Sequence, residues 1–383
     1  MTNILIGVTG SIAIYKTLEL IRLFIKDGFN VKVVMTPSAM KFITPLTFES
    51  LTNNKVLTED TESWSDGYNH IDIAKWADVF IIAPATANTL NKLKVGIADN
   101  LLLQTYLAFN KEVIIAPAAN TNMYLHKTTQ DSIHTLPHHI IHANSGMLAC
   151  KDIGVGKMAH IEDIFYKTLQ VLNYDNFWKD KKVIVTAGGT IEKIDDVRYI
   201  SNFSSGKMGE ALALALYLAG AKVTLITSKY HKLPSEINII PFNSSNELKE
   251  HLDCLVDYNE YLFMAAAVSD YIPQYQEGKI KKDTLSDVWE LKLHKNIDII
   301  ASINGIKKIA FKAEVDESKA LDVAKKALIS KRCDAICLNL LTKNNFGSDE
   351  NEVIFITKDS QIKLSQNTKL EIAKQIIQEV KKS

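Results

Sequence analysis

Loops rich in glycine and hydroxyl-bearing residues follow strand-like runs in the first half of the chain. The run at residues 4–8 leads into a turn containing Gly10 and Ser11 and then into a helix-like segment. Free backbone N–H groups at the start of a helix bind phosphate, and a serine hydroxyl adds a donor, although a tight turn without a ligand is the alternative. The same pattern recurs after the next strand-like runs, at Thr36, Ala85 and Thr86. Because open parallel sheets bind ligands at the carboxyl ends of their strands, these residues together predict a phosphate-bearing ligand.

Three other side chains of this half carry groups that transfer protons or bind carboxylates: His70, Asn120 and Cys150. Each also has an ordinary interpretation, as a core or surface histidine, an asparagine that caps a loop and a small buried thiol. Cys150 lies in a glycine-rich stretch and precedes Lys151, whose ammonium would favour the thiolate form. The five histidines between residues 126 and 142 lack cysteine or carboxylate partners at metal-binding intervals, so we predict no metal site there.

In the second half, two phosphate-type loops precede a basic segment. Gly188 and Gly189 follow a strand-like run, and Ser204 stands just before a glycine-led helix. An ordinary turn and an ordinary capped helix are the alternatives. The basic segment contributes Lys279, Lys281 and Lys282. Beside two such loops, these ammonium groups indicate a clamp for a triphosphate rather than a solvated loop.

Short β-branched runs alternate with helix-period segments along the chain, which is typical of parallel α/β domains. The predicted strands of the first half are residues 4–8, 31–35, 79–83 and 113–116, with helices near 14–26, 45–51, 87–94, 100–109 and 161–172. The predicted strands of the second half are residues 183–186, 222–227, 261–265, 308–311, 335–338 and 353–356, with a helix near 206–220. A polar segment at 173–182 is interpreted as a connector. We therefore predict two open parallel-sheet, Rossmann-like domains, at residues 1–175 and 176–383.

Composition and charge disfavour several classes of protein. Lys+Arg and Asp+Glu both number 44, so the absence of net charge argues against bulk electrostatic binding to nucleic acid or an acidic membrane and leaves a local basic patch as the alternative. The first residues lack the features of a signal peptide, and the longest apolar run, residues 211–219, is too short to span a bilayer. The four cysteines form no CxxC pair, which disfavours a zinc or disulfide framework. We expect a cytoplasmic protein whose partners are small molecules, with no nucleic acid and no membrane.

Motifs spread over the first half resemble the family of homo-oligomeric, flavin-containing cysteine decarboxylases. They are residues 70–78 (HIDIAKWAD), 83–86 (APAT), 116–123 (APAANTNM) and 148–156 (LACKDIGVG). The resemblance implies that FMN is the cofactor, and that His70 acts at the flavin, Asn120 holds the substrate carboxylate and Cys150 donates a proton. The cofactor-binding residues it implies are Gly10, Ser11, Thr36, Ala85 and Thr86. The chain departs from the usual pattern at Ala119, Tyr124 and Lys151, where methionine, tryptophan and glycine are common.

The chemistry of this family explains why such residues are needed. Loss of a carboxylate requires a sink for the electrons left behind, and a saturated cysteine amide has none. Oxidation of the thiol-bearing carbon by FMN produces a thioaldehyde, which is such a sink. Carbon dioxide then leaves to form an enethiol, and reduced flavin with a proton donor restores the saturated thiol. The cofactor carries the redox chemistry, while the protein positions the substrate and protonates it.

The second half resembles phosphopantothenate–cysteine ligases over nearly its full length. The resemblance rests on residues 195–198 (DDVR), Asn202 with 204–209 (SSGKMG), 265–270 (AAAVSD), 279–282 (KIKK), 311–314 (FKAE) and 346–351 (FGSDEN). The chain departs from this pattern at Gly189 and Ile191, where proline and arginine are common.

This second resemblance implies that CTP, accompanied by Mg²⁺, activates the carboxylate of 4′-phosphopantothenate as an acyl-cytidylate, which the amine of cysteine then attacks. Lys279 is assigned to stabilise charge at the reacting phosphorus, with Lys281 and Lys282 as close rivals. Asn202 is expected to act on the acyl-cytidylate. The further nucleotide contacts it implies are Gly188, Gly189, Ser204, Asp270, Phe311 and Asn339. The choice of CTP over ATP rests on the fused arrangement of the two halves, and the magnesium ligands are unassigned.

Together the two halves resemble the fused enzymes of coenzyme A biosynthesis. The ligase product, phosphopantothenoylcysteine, is the substrate that the decarboxylase converts to 4′-phosphopantetheine. By resemblance, a homo-oligomer with decarboxylase trimers and ligase dimers is expected. One alternative is a decarboxylase of C-terminal cysteines in peptides, against which the ligase-like half counts. Another is a non-catalytic regulatory subunit, against which Asn120 and Cys150 count.

Overall fold

The chain folds into two compact units, residues 1–172 and 173–383. A computed structural model describes residues 2–149, 151–229, 232–281, 288–342 and 347–383. The predicted catalytic Cys150 and the predicted nucleotide contact Lys282 lie outside the described residues, as does Phe346 of the last motif. Each unit has its own sheet and its own core, and each is described below by itself.

The first unit is built on a parallel five-stranded sheet in the order β2-β1-β3-β4-β5. The strands are β1 (Asn3–Val8), β2 (Asn30–Met35), β3 (Val79–Ala85), β4 (Glu112–Pro117) and β5 (His139–Ile140). A separate antiparallel hairpin pairs β6 (Asn144–Met147) with β7 (Ile153–Lys157). The helices are α1 (Ile14–Lys26), α2 (Pro37–Met40), α3 (Pro45–Thr52), α4 (His70–Trp76), α5 (Ala87–Val95), α6 (Leu101–Ala108), α7 (Thr121–Leu125), α8 (Lys127–Thr135) and α9 (Ile161–Leu172).

Helices cover both faces of this sheet, which is why its strands are apolar runs rather than alternating ones. Along β1, Ile4 and Ile6 pack into one core cluster with α1, α3 and α9, whereas Leu5 packs into the other with α4, α5 and α6. The parallel α/β fold predicted from the sequence is therefore confirmed. The region after Asn120, predicted to be rich in loops, contains two helices and the β6–β7 hairpin.

The second unit contains an eight-stranded sheet in the order β12-β11-β8-β13-β16-β17-β18-β19. Its strands are β8 (Lys182–Ala187), β11 (Lys222–Thr227), β12 (Asn238–Pro241), β13 (Tyr261–Met264), β16 (Lys307–Glu314), β17 (Ala335–Leu340), β18 (Glu350–Ile356) and β19 (Gln361–Thr368). The first six strands in the spatial order are parallel, and β18 and β19 add an antiparallel hairpin at one end. The sequence predicted a strand within β18 but not its antiparallel direction.

Within the described residues of this unit, two small antiparallel strand pairs, five α-helices and a 3-10 turn at Val256–Tyr258 accompany the sheet. The strand pairs join β9 (Ile191–Lys193) with β10 (Tyr199–Ser201), and β14 (Tyr271–Pro273) with β15 (Leu293–Lys295). The helices are α10 (Lys207–Leu218), α11 (Ser245–Leu255), α12 (Ile299–Ser302), α13 (Glu317–Ser330) and α14 (Lys369–Lys382). Helix α10 packs against α14, while residues of α11, α12 and α13 share the core cluster on the other face of the sheet.

The segment predicted as a connector, residues 173–182, is folded onto the second unit. Trp178 is fully buried and packs against Tyr261 and Phe263. Asp175 donates its backbone N–H to the carbonyl of Ala219 and accepts hydrogen bonds from the ammonium of Lys381. The segment has a polar composition because its charged side chains bind neighbouring elements, and its one tryptophan supplies the apolar anchor. Within the described residues, no helix combines the length and apolarity that crossing a bilayer requires.

Candidate active sites

The order of strands in the first unit reverses between β1 and β3, since β2 lies to one side of β1 and β4 lies beyond β3. Such a switch point opens a crevice at the carboxyl ends of the two strands. Thr9 joins the two strand ends, because its Oγ1 donates to the carbonyl of Pro84 at 2.6 Å and accepts from the N–H of Thr86 at 3.0 Å. The sequence analysis did not select this threonine.

The predicted cofactor residues surround this crevice. Gly10 approaches α2 so closely that an added Cβ would lie 2.7 Å from the Cβ of Ser38. Thr36 caps α2 and Thr86 caps α5, each through its side-chain oxygen. The hydroxyl oxygen of Ser11 accepts a hydrogen bond from the N–H of Ala13. These residues form a cradle with hydroxyl groups and helix N-termini, which suits the phosphate and polar edges of FMN, while Ala85 is buried in β3.

The substitution Gly10→Ala tests this cradle. The added methyl group would overlap Ser38, and overpacking of this kind costs about 1–3 kcal/mol. We expect FMN binding to weaken by about 5- to 150-fold, since each 1.4 kcal/mol is a factor of ten. Flavin absorbance per chain and titration with FMN measure the effect. The double variant Gly10→Ala, Ser38→Gly removes the overlapping atom and should regain affinity. Full flavin occupancy and unchanged affinity in the single variant would show that the loop is not part of the site.

His70 begins α4 and faces a carboxylate that sequence reasoning missed. Asn69 caps this helix by accepting from the N–H groups of Ile71 and Asp72. The Nδ1 atom of His70 lies 2.9 Å from Oε1 of Glu62. Because an ionised carboxylate can only accept, Nδ1 carries a proton and the neutral ring presents Nε2 as an acceptor. Nε2 makes no hydrogen bond to the described residues, so it is available to a ligand.

The direction of α4 places His70 at the same edge as the crevice. The carbonyl of Trp76, at the end of α4, accepts a hydrogen bond from the side chain of Asn3, at the start of β1. The helix therefore runs antiparallel to β1, and its first residue lies toward the carboxyl end of the sheet. The ring of Trp64 stands edge-on to the imidazole, with the two centroids 5.5 Å apart. No local sequence pattern pairs Glu62 with His70, because the loop between them has no regular period.

Asn120 follows β4 at this edge and caps α7, with its Oδ1 accepting from the N–H of Asn122 at 3.0 Å. This bond engages the oxygen, so the amide NH₂ is the group that can donate to a carboxylate. The β6–β7 hairpin lies directly on this loop, and Gly156 accepts a hydrogen bond from the N–H of Ala119. An added Cβ at Gly156 would collide with the carbonyl of Ala119, so only glycine allows this approach. The hairpin that leads to Cys150 is thus anchored on the loop of Asn120.

In the second unit, the strand order reverses between β8 and β13, and the loops after these strands are joined by hydrogen bonds. Thr190 donates its N–H to the carbonyl of Ala267, and its Oγ1 accepts from the N–H of Ser269. The side-chain amide of Asn202 donates to the same carbonyl of Ala267 at 3.2 Å. These bonds fix Asn202 beside the switch point of the second sheet.

A cavity of about 700 Å³ opens at this switch point. The predicted site residues that line it are Asn202, Ser204, Asp270, Phe311 and Asn339. Gly188 and Gly189 support the adjoining turn instead: Gly188 has a φ of +88° and accepts a hydrogen bond from the N–H of Ala267. Lys279 and Lys281 are exposed and do not line the cavity. Five lysines also line the wall: Lys207, Lys295, Lys312, Lys331 and Lys369. Lys207 and Lys312 lie within motifs quoted above but were not selected as site residues, and the other three were missed.

Side chains of the loop at residues 195–198 hold Ile280 of the basic segment through hydrogen bonds, and these contacts form a clasp. Asp195 is buried, and its Oδ2 accepts from the N–H of Ile280 at 3.2 Å and from Nε of Arg198 at 3.1 Å. Arg198 donates in turn to the carbonyl of Ile280 at 2.6 Å, and its guanidinium lies over the ring of Trp289. Burial raises the pKa of Asp195, but backbone N–H donors and Arg198 outweigh it and hold this pKa below its usual value. Asp195 therefore stays ionised at neutral pH. Its ion pair with Arg198 is lost only when the pH falls below the usual pKa of an aspartate.

Asp195→Asn is expected to release the basic segment. The new amide nitrogen would face the donors of Ile280 and Arg198, and the ion pair with the guanidinium would be lost. Displacing a positioning segment by about 1 Å lowers rates by about 100-fold. We expect that fall in pyrophosphate release from CTP, with decarboxylation of supplied phosphopantothenoylcysteine unchanged. Asp253→Asn, which removes an exposed aspartate paired with Lys249, is the control. A folded Asp195→Asn variant with the wild-type ligase rate would refute the clasp.

No group of three histidine, cysteine or carboxylate side chains suited to a metal ion occurs in the part of the chain that the structure describes. Of the histidines between 126 and 142, His138 accepts or donates a hydrogen bond at the hydroxyl of Tyr106, and His139 lies 3.0 Å from Glu112. These contacts give both histidines protein partners rather than a shared ligand.

Comparison with known proteins gives matches over both units. The family model described as Flavoprotein matches residues 1–173, and the one described as DNA/pantothenate metabolism flavoprotein C-terminal domain matches residues 178–383. A coenzyme A biosynthesis bifunctional protein, CoaBC, of Haemophilus influenzae is 39% identical, over 99% of this chain and 96% of its own. That of Borreliella burgdorferi is 37% identical, over 98% of each chain. A cysteine/cysteine sulfinic acid decarboxylase of an unknown prokaryotic organism is 37% identical, over 88% of this chain and 98% of its own.

Proposed function

Because this chain belongs to the family of bifunctional coenzyme A biosynthesis proteins, we propose that its two units catalyse consecutive reactions. The second unit joins 4′-phosphopantothenate to cysteine at the expense of CTP. The first unit decarboxylates the product, phosphopantothenoylcysteine, to 4′-phosphopantetheine. One observation carries the proposal: the similarity to the bifunctional relative extends over 99% of the chain and so includes both units.

In the ligase reaction, a carboxylate oxygen of 4′-phosphopantothenate attacks the α-phosphorus of CTP and pyrophosphate leaves. The amine of cysteine then attacks the acyl carbon, forms the amide and releases CMP with a proton. Asn202 lies in the cavity wall with its amide held by Ala267, which suits it to contact the acyl-cytidylate. The ammonium of Lys279 is proposed to stabilise charge at phosphorus, a role that depends on prior positioning. We propose CTP rather than ATP as the nucleotide because the two halves are fused in one chain. Mg²⁺ is expected to accompany the triphosphate.

In the decarboxylase unit, Asn120 is proposed to donate from its amide NH₂ to the substrate carboxylate, since Oδ1 is engaged by the helix cap. His70 presents Nε2 as an acceptor because Glu62 holds Nδ1. It can therefore accept a proton beside the ligand. Cys150 stays the predicted proton donor. These roles orient the carboxylate and move protons at named atoms.

FMN fits the crevice between β1 and β3. Thr9, Thr36 and Thr86 place hydroxyl groups there, and Gly10 leaves room that a side chain would fill. When bound, FMN supplies the oxidation that creates an electron sink and the later reduction. We propose that the decarboxylase domain spans residues 1–175 and the ligase domain residues 176–383. The compact units divide three residues earlier, between residues 172 and 173.

We propose that the chain acts as a homo-oligomer, with decarboxylase units in trimers and ligase units in dimers. Exposed apolar side chains in both units support association: Ile153 is 83% exposed and Phe203 is 90% exposed. Met147 pairs with Ile153 across the β6–β7 hairpin and is 69% exposed, so exposed apolar side chains adjoin there, as they commonly do at protein interfaces. Light scattering at several concentrations measures the assembly. The cytoplasmic location stays a prediction.

The decisive experiment supplies the purified chain with 4′-phosphopantothenate, cysteine, CTP, Mg²⁺ and FMN, and follows pyrophosphate and carbon dioxide together. Pyrophosphate should appear first and carbon dioxide afterwards, with about one of each per phosphopantetheine formed. Omitting CTP should stop both products, and supplying phosphopantothenoylcysteine should restore carbon dioxide alone. Absence of carbon dioxide in that last reaction would refute the decarboxylase assignment.

The relative that decarboxylates cysteine or cysteine sulfinic acid indicates a second candidate function. Its sequence matches 88% of this chain, so a change of substrate within the same fold has to be tested. Cysteine or cysteine sulfinic acid, each supplied with FMN and without CTP or phosphopantothenate, should release no carbon dioxide if the proposal is right. Release from either free amino acid at a rate comparable with that from phosphopantothenoylcysteine would favour the second candidate.

A further inference from the structure

One lysine of the second unit is buried in the core. Lys308 is the second residue of β16 and is only 3% exposed. Its ammonium group donates to three backbone carbonyls, those of Ile300 at 3.0 Å, Ile303 at 2.8 Å and Lys331 at 2.8 Å. A neutral amine has only two N–H groups, so this complete set of partners belongs to the charged form. The proposed reactions make no use of this group.

The three carbonyls stand at the C-terminal ends of two helices. Ile300 belongs to α12 and Ile303 follows its last residue, whereas Lys331 follows α13. The last carbonyls of a helix have no partner within it and carry partial negative charge, so they favour a cation that donates to them. Helix α12 has only four residues, too few to be stable alone. The ammonium group of Lys308 therefore joins α12 to α13 and fixes the distance between their ends.

The same two helices contribute to the wall of the cavity at the switch point. Four apolar side chains line it there, those of Ile299 and Ile300 from α12, Ala310 from β16 and Ala327 from α13. We call these four residues the apolar wall. They are continuous with the core cluster on this face of the sheet. A nucleobase is flat and aromatic, and apolar walls are typical of the sites that bury such groups.

Two other contacts hold the segment around α12, and both are nearer to solvent. The ammonium of Lys331 pairs with Asp298 at 3.0 Å, but both side chains are partly exposed, and such pairs contribute little. The side-chain amide of Asn296 donates to the carbonyl of Ser269 at 2.8 Å. This bond ties the start of the segment to the loop after β13, whereas Lys308 holds its end from within the core.

Packing alone does not require a lysine at this position. Burial of an ammonium group costs free energy even when every proton has a partner, and an apolar side chain of similar length avoids that cost. The lysine adds direction instead. Its three hydrogen bonds hold two helix ends at fixed distances, and an apolar side chain in the place of Lys308 would leave the three carbonyls without these donors and free to shift.

We propose that Lys308 is a positioning residue for the nucleotide, because its ammonium group sets the spacing of the apolar wall against which the nucleobase packs. The proposal rests on the proposed function, which requires a nucleotide in this cavity. Lys308 is not among the described residues that line the cavity, so it acts through the two helices rather than by touching the substrate. The nucleobase is remote from the reacting phosphorus. Loss of this positioning should therefore weaken nucleotide binding and spare the chemical step.

Lys308→Met tests the proposal, since it removes the three donors and keeps an unbranched side chain of similar length. We expect the KM for CTP in pyrophosphate release to rise by about tenfold or more. The dissociation constant of CTP with Mg²⁺, measured by titration calorimetry without the acid, should rise equally. The KM for 4′-phosphopantothenate and the kcat at saturating CTP should stay within about threefold of the wild type. Lys308→Arg keeps a charged donor and should regain most of the affinity for CTP.

Leu248→Ala is the matched control for a general loss of stability. Leu248 lies on α11, is fully buried in the same core cluster and is not among the described residues that line the cavity. Its truncation should lower the midpoint of denaturant unfolding and leave the KM for CTP unchanged. If the KM for CTP rises as much in Leu248→Ala as in Lys308→Met, lost stability explains both results and the proposal is overturned.

Two other results would also overturn it. One is a folded Lys308→Met variant that binds CTP as tightly as the wild type. The other is a raised KM for 4′-phosphopantothenate with an unchanged KM for CTP, which would place the acid against the apolar wall. If Lys308→Met does not fold, Lys308→Gln decides by the same criteria, because its amide keeps two donors on a shorter side chain. A wild type that binds CTP but releases no pyrophosphate would instead refute the proposed function.

Discussion

Lys279→Gln is expected to lower pyrophosphate release by about 10²–10³-fold, the effect of removing one preorganised group that stabilises transition-state charge. The structure gives a reason to prefer Lys279 to its rival Lys281. The N–H of Gly278 donates to Asp196 at 2.9 Å, and the N–H of Ile280 donates to Asp195 at 3.2 Å. The backbone of Lys279 is thus held on both sides by the loop at residues 195–198. A charge that acts on a reacting phosphorus needs such positioning.

The matched comparison is Lys281→Gln, which removes the same charge from the same segment. We expect it to lower the ligase rate less than Lys279→Gln does. Both variants should decarboxylate supplied phosphopantothenoylcysteine at the wild-type rate, because that reaction belongs to the other unit. If Lys279→Gln leaves pyrophosphate release within about twofold of the wild type while Lys281→Gln abolishes it, the assignment of the essential lysine is wrong.

His70→Asn should lower decarboxylation of supplied phosphopantothenoylcysteine by about 10²–10⁴-fold, the range typical of general acid–base residues. Asparagine fits the space of imidazole but offers no group that accepts a proton near neutral pH. FMN content should stay at the wild-type level, because the crevice at Thr9 and Gly10 is built by other residues. Carbon dioxide release and flavin absorbance measure the two properties separately, and pyrophosphate release should be unaffected.

Glu62→Gln tests the same site through the partner of His70. The amide of glutamine can donate as well as accept a hydrogen bond, so it does not fix the proton on Nδ1. The population of the ring tautomer with Nε2 as acceptor therefore falls. We expect a loss of activity smaller than that of His70→Asn, measured as carbon dioxide release from supplied phosphopantothenoylcysteine. His134→Asn, which alters an exposed histidine of α8, is the control. Wild-type activity in His70→Asn would show that this histidine plays no part in proton transfer.

Because the chain carries two active sites, the reaction of one unit can serve as a control for variants of the other. Each variant is designed to alter one reaction and leave the other as an internal measure of folding. Lys279→Gln and Asp195→Asn should affect pyrophosphate release only, whereas His70→Asn and Gly10→Ala should affect the flavin-dependent reaction only. A variant that lowers both rates equally has lost structure rather than a catalytic group.

The inner strands of both sheets could be predicted from sequence because they are buried on two faces and are therefore continuous apolar runs. Residues 79–83 and 261–265 are of this kind, and both correspond closely to observed strands. The strands β5, β12 and β19 were not predicted, because they lie at the sheet edges, are more exposed and form no such run. The short elements after Asn120 were missed. Their stability comes from packing of the β6–β7 hairpin on the loop at residues 119–121, which requires Gly154 and Gly156 and leaves no periodic pattern.

By itself, the sequence determined the α/β class of both units and the motifs that mark the loops at the carboxyl ends of the strands. These are local properties of burial pattern and turn chemistry, which a run of neighbouring residues encodes. Only the tertiary structure decided which distant groups meet. Asp195 holds Ile280, 85 positions away, and Lys207 and Lys369 converge on one strip of backbone. Such pairings depend on strand order and on which face each connection crosses, and the local preferences of residues do not contain that information.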